Sequence, residues 1–108
     1  MKKRLENSSN KMWKIELHRL VLNEDFKGLD HAAVRLILKS IYKKLSKDPE
    51  GFGSPLSGEY KGYWKLRVGY YRVIYRIIKD EVLVLVIKVG IRRDDKVYAE
   101  LFYRLRKV

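Results

Sequence analysis

The sequence predicts a single α+β domain of order βααβββα, a mostly antiparallel sheet with two N-terminal helices packed on it and a C-terminal helix. Three observations predict it. Apolar residues alternate in three segments, run unbroken in a fourth and recur at helical period in two others. The last three strand-like segments are joined by connections too short for crossovers, so neighbours run antiparallel. With 108 residues the chain suits one domain, burying roughly 60–70% of the surface its unfolded form exposes.

Residues 1–12 are polar, carry no apolar period and read as a flexible basic arm, with the domain spanning 13–108. Trp13, Ile15 and Leu17 alternate with Lys14, Glu16 and His18, the pattern of a half-buried strand. Asn23-Glu24-Asp25 is expected to open a short helix ended by Gly28, and Asp30 to cap the next. That second helix is expected over about His31 to Ser46, with Ala33, Leu36, Ile37, Ile41 and Leu45 on its buried face. Residues 48–58 hold two prolines and three glycines and read as a loop. Strands are expected over Tyr63–Val68, Tyr71–Ile78 and Val82–Val89, with Asp80-Glu81 making a tight reversal. The last strand is apolar on both faces, so it belongs at the centre of the sheet or under cover. Gly90–Lys96 reads as a loop, and Val97, Leu101 and Leu105 mark the basic C-terminal helix.

Composition narrows the function classes. Lys plus Arg number 25 against 13 Asp plus Glu, a formal charge of +12. So large an imbalance repels itself and makes a polyanion the leading partner class. Cysteine is absent, which excludes disulfides, thiolate catalysis and cysteine-ligated zinc. No apolar run approaches the roughly 18 residues that span a bilayer, and the basic start lacks the apolar stretch of a secretory signal. No membrane partner and a cytoplasmic location are expected.

Charge gains meaning from strand phase. Lys65 and Arg67 fall on the face opposite Trp64, Leu66 and Val68, and Arg72 and Arg76 share a face of the next strand. In a suitable register these four cations line one side of the sheet, with Arg92 and Arg93 just beyond the central strand. Between residues 60 and 93 lie nine Lys or Arg, opposed only by Asp80 and Glu81, and Tyr60, Tyr63, Tyr70, Tyr71 and Tyr98 interleave with or follow them. Cations hold phosphates, and aromatic faces stack single-stranded bases at roughly 1–3 kcal/mol each. An ordinary solvated strand face with core tyrosines has the same pattern.

The ordered set Pro55-Leu56-Ser-Gly58, Tyr63-Trp-Lys-Leu-Arg67-Val-Gly69-Tyr-Tyr-Arg72-Val-Ile-Tyr75, Val86-Ile-Lys-Val-Gly90-Ile-Arg92 and Val97-Tyr98 resembles the RelE branch of the RelE/ParE toxin superfamily. The resemblance spans roughly residues 13–106. It implies the RelE-like fold and the toxin of a type II toxin–antitoxin pair. It further implies a ribosome-dependent mRNA endoribonuclease that enters the ribosomal A site and cuts by attack of the RNA 2′-hydroxyl, inhibiting translation. The family needs no metal or cofactor. An acidic, partly disordered antitoxin is the implied protein partner, beside ribosome and mRNA.

Carried over by position, the catalytic set is Lys65, Arg72, Arg92 and Tyr98, with Lys61, Arg67, Arg76 and Arg93 binding RNA. A second lysine that the family carries two positions before the first is here Tyr63. The chemistry needs a base for the 2′-hydroxyl, charge stabilisation of the phosphorane and a proton for the leaving 5′-oxygen. His18 and His31 lie far in sequence from the basic cluster and are read as structural. Lys, Arg and Tyr then remain, and a base among them requires a depressed pKa. Arg72 is assigned to the scissile phosphate and Arg92 to the transition state or leaving oxygen. Lys65 takes base or electrostatic duty, and Tyr98 acts as base or stacking partner. Three alternatives stay open: a ParE-like toxin acting on DNA gyrase, a non-catalytic RNA- or ribosome-binding basic domain, and a degenerate toxin.

Overall fold

The structure, a computed structural model, describes residues 12–92 and 96–108. The predicted arm, except Met12, and Arg93 lie outside the described residues. Strand β1 (Lys14–Leu17) precedes α1, a π-helical turn (Val21–Asp25) that runs into a 3₁₀ turn (Phe26–Gly28). Helix α2 (His31–Ser40) continues through a π-helical turn (Ile41–Leu45), and α3 (Pro49–Phe52) and β2 (Ser54–Pro55) follow. Strands β3 (Trp64–Val68), β4 (Tyr71–Ile78) and β5 (Leu83–Ile91) lead to α4 (Lys96–Arg104). The five strands form one sheet of order β1-β5-β4-β3-β2, antiparallel except that β1 runs parallel to β5. Among the described residues no helix is long and apolar enough to cross a membrane.

The doubly apolar β5 lies inside the sheet and divides the core. Val84, Val86 and Val89 face α1 and α2 together with Val21, Phe26, Ile37, Ile41, Leu45, Leu66, Val73 and Tyr75. On the other face Ile74 and Ile87 meet Val97 and Leu101 of α4. Asp30 caps α2 as expected, its Oδ1 accepting from the Ala33 N–H at 2.8 Å. Leu36, expected inside, is 50% exposed, and Val34 and Leu38 take its place. The first helical segment opens before Asn23-Glu24-Asp25 rather than at them. Its opening N–H, that of Leu20, donates to His18 Nδ1 at 3.1 Å, a terminus made by a residue outside the usual capping set.

The stretch predicted as a plain loop, 48–58, is instead tied down. Tyr75, fully buried, donates its hydroxyl to the Pro49 carbonyl at 2.6 Å. Burial pushes its pKa up, reinforced by Asp48 and Glu50, so the phenol stays the donor. A Cβ on Gly53 would run into that hydroxyl and stand 2.9 Å from the Lys65 carbonyl. Only glycine lets β2 reach β3, where Ser54 pairs with Lys65 and Pro55 with Trp64.

Two strand boundaries differ from expectation. The β4–β5 reversal is a 3₁₀ turn (Lys79–Glu81) closed by Val82 at φ +50, so Val82 is a turn residue. At the other end β5 does not stop at Val89. Gly90 pairs with Arg72 and Ile91 with Tyr71. Gly90, which reads as a strand terminator, is a close-approach residue, since a Cβ there would lie 2.9 Å from Val97 Cγ2. Gly90→Ala is therefore expected to push α4 off the sheet and cost about 1–3 kcal/mol, the usual cost of overpacking. Thermal unfolding measures it, and an unchanged midpoint contradicts the close approach.

Candidate functional site

The site grows from the β3–β4 hairpin. Opposed residues of an antiparallel pair share a face, and Arg67 stands opposite Arg72 and Lys65 opposite Ile74. Ile74 packs under α4, so Lys65, Arg67 and Arg72 lie on the α4 side of the sheet. Helix α4 contributes Tyr98 there. Lys65 Nζ stands 5.9 Å from the Tyr98 ring centroid, a cation–π approach. Together with Pro55, Leu56, Ser57 and Tyr60 they line an open cleft of about 420 Å³. Among the described residues no carboxylate or imidazole lines it.

Arg72 is the buried member, only 5% exposed. Its Nη1 donates to the carbonyls of Gly69 (3.1 Å) and Tyr71 (2.8 Å), so the guanidinium braces the hairpin turn. Burial lowers its pKa, and the neighbouring cations Arg67 and Arg92 push the same way while Tyr98 opposes them. An arginine so placed stays cationic at neutral pH, and among the described residues no carboxylate pairs with it, which suits it to an incoming phosphate. Arg92 follows β5 directly and is exposed, and its backbone N–H donates to the Tyr70 carbonyl at 2.9 Å.

The structure therefore brings Lys65 to Tyr98, and Arg72 within electrostatic reach of Arg67, Arg92 and Tyr98. Arg76 shares the face but is drawn aside, its guanidinium carbon 5.8 Å from the Tyr63 ring centroid. Lys61 lies in the turn before β3, exposed and outside the strand phase. His18 caps α1 and His31 is exposed at the start of α2, both away from the site. The cleft also includes residues that sequence reasoning did not assign to it. Tyr60 donates its hydroxyl to the Tyr98 carbonyl at 3.3 Å, and burial, with the Glu59 charge second, raises its pKa. Leu56 is fixed by its N–H to the Tyr63 carbonyl at 2.8 Å. Tyr60 stands among the tyrosines interleaved with the basic cluster and Leu56 in the Pro55-Leu56-Ser-Gly58 run, but only tertiary pairing brings them to this cleft.

Comparison with known proteins gives consistent matches. The family model described as the ParE toxin of the type II toxin–antitoxin system, parDE, matches residues 15–96. The chain is 30% identical to "Toxin RelG" of Mycobacterium tuberculosis over 70 residues, 65% of this chain and 80% of that protein. It is 44% identical to the "mRNA interferase toxin RelE" of Escherichia coli over 41 residues, 38% of this chain and 43% of that protein. Among solved structures, it superposes on a chain of the toxin–antitoxin complex RelBE2 of Mycobacterium tuberculosis. The TM-score is 0.71 at 25% identity, covering 77% of this chain and 94% of that one.

Proposed function

The chain belongs to the ParE toxin family of type II toxin–antitoxin systems and is RelE-like, and on that premise we propose that it is a ribosome-dependent mRNA endoribonuclease cleaving in the A site. The observation that carries the reading is the set Lys65, Arg72, Arg92 and Tyr98: Lys65 against the Tyr98 ring, and Arg72 near Arg92 and Tyr98. The relative from Escherichia coli whose printed name is mRNA interferase supports the reaction class.

In the proposed reaction the 2′-hydroxyl attacks the adjacent phosphorus. The P–O5′ bond breaks, leaving a 2′,3′-cyclic phosphate and a 5′-hydroxyl. Arg72, already held by two carbonyls, binds the scissile phosphate without reorganising. Arg92, exposed at the strand end, meets the charge on the leaving oxygen. Lys65 and Tyr98 flank the position of the 2′-hydroxyl and compete for the role of base. Lys61, Arg67 and Arg93 bind backbone phosphates, and Arg76 does so at the far end of the face. No metal enters this scheme. A group of cations that mainly stabilises charge leaves alignment to the ribosome, so the isolated protein is a poor nuclease.

The proposed protein partner is an acidic antitoxin that covers this basic surface. The structural neighbour RelBE2 is itself a toxin–antitoxin complex. The ParE name of the matching family favours one second reading, the ParE-like toxin acting on DNA gyrase that the sequence resemblance left open. Primer extension on a defined message in a purified translation mixture separates the two. Breaks inside codons of ribosome-bound message are expected. Intact message with accumulated gyrase–DNA adducts contradicts the nuclease reading.

A further inference from the structure

Helix α4 and the Lys65–Tyr98 cleft occupy one face of the hairpin, but the hairpin tip carries an aromatic that the fold does not explain. The β3–β4 turn has two residues between the paired Val68 and Tyr71. Its conformational demand falls on Gly69, at φ +58, while Tyr70 has ordinary backbone. Nothing in the turn requires a large side chain at 70, yet Tyr70 is 81% exposed, the most exposed large apolar or aromatic residue among those described. Beside it, Tyr71, Ile91 and Arg92 complete an open cavity of about 490 Å³. Ile91 is itself 43% exposed. A flat phenol, an apolar floor and a guanidinium form the chemistry that holds a nucleobase next to its phosphate. Arg92 belongs to both places, since it lines this cavity and lies in the field of Arg72. Its N–H to the Tyr70 carbonyl also locks tip and catalytic segment together.

We propose that Tyr70 is a base-stacking platform that holds an RNA base flanking the cut phosphodiester and so positions the message and selects the base at that place. This rests on the nuclease reading above. Stacking on one exposed ring is worth about ten- to a hundredfold in affinity.

The test uses the full chain with Tyr70→Ala and Tyr70→Phe. One readout is cleavage of message on programmed ribosomes at limiting protein. The other is quenching of 2-aminopurine in a short single-stranded oligonucleotide whose 2′-hydroxyls are methylated and so cannot be cut. Tyr70→Ala is expected to cut about ten- to a hundredfold more slowly, with altered base preference beside the cut and lost quenching, and Tyr70→Phe to restore all three. If the unaltered chain cuts message and Tyr70→Ala matches it in rate and preference, the platform is wrong and the nuclease reading stands. If the unaltered chain cuts nothing but quenches 2-aminopurine in a Tyr70-dependent way, the nuclease reading fails and the platform survives as an RNA-binding subsite.

Discussion

Arg92→Ala is expected to reduce ribosomal message cleavage by about 10²–10³, the effect of deleting one preorganised charge from a transition state. Because Arg92 is exposed and among the described residues bonds only through its backbone N–H, stability should stay within about 0.5 kcal/mol of the parent. Arg72→Ala is expected to lose as much activity but also stability. Its Nη1 serves two carbonyls of the hairpin turn inside a buried environment. Removing it leaves those acceptors short of a donor, at about 1–3 kcal/mol. The contrast separates charge from scaffold: Arg92→Ala isolates chemistry, and Arg72→Ala mixes it with folding. Primer extension and thermal unfolding of the same two variants read both quantities. Full cutting by both removes the assignment of either arginine.

Asp25→Ala is expected to be the most destabilising single change, at about 3–5 kcal/mol, out of a total that for a domain of this kind is about 5–15 kcal/mol. The Asp25 side chain is 2% exposed and accepts from four donors. Arg104 of α4 grips it with Nη1 at 3.0 Å and Nη2 at 2.8 Å, Lys88 Nζ at 2.9 Å and the Val89 N–H at 2.9 Å. Arg104, whose side chain is 4% exposed, also donates to the Ile87 carbonyl at 3.0 Å and to Glu24 at 3.1 Å. Burial lowers the Arg104 pKa, but the bonds and charges of Asp25 and Glu24 together outweigh it and raise the pKa, so the cation persists. The cluster sits where β1 ends. Leu17 is the last β1 residue, paired with Val86, so beyond it Asp25 supplies the acceptor that a neighbouring strand would have supplied to Val89. Without the carboxylate, two buried cations face each other, relieved among the described residues only by Glu24 and Glu100. Since Arg104 anchors the helix that carries Tyr98, cleavage should fall with stability. Denaturant unfolding measures the loss, and a change below about 1 kcal/mol contradicts the hub.

The sequence made the sheet legible because strand period survives in local pattern. The phase of Lys65, Arg67 and Arg72 against Leu66 and Val73 needs only alternation, and the register sets them on one face. Features held by distant partners were not legible. Asp25 lies 63 residues from Lys88 and 79 from Arg104, so a carboxylate in a short helical segment gave no sign of its partners. Gly90 reads locally as a stop, and only the docking of Val97 shows why no side chain fits there. Residues 48–58 have loop composition because prolines and glycines are needed for α3 and for the approach of β2 to β3, a demand set by Tyr75 and Lys65 elsewhere in the chain. Of the site, charge and phase came from pattern, the roles proposed for Lys65, Arg72, Arg92 and Tyr98 from resemblance, and the placing of Leu56 and Tyr60 in the cleft wall from tertiary structure.

This cationic, phenol-bearing face is proposed to use the message's own 2′-hydroxyl as nucleophile. The direct measurement replaces the single nucleotide before a mapped cut with its 2′-deoxy form, in a message programmed onto ribosomes. Cutting at that bond is expected to vanish while other cuts persist with 5′-hydroxyl ends. Unchanged cutting at the deoxy position contradicts the claim.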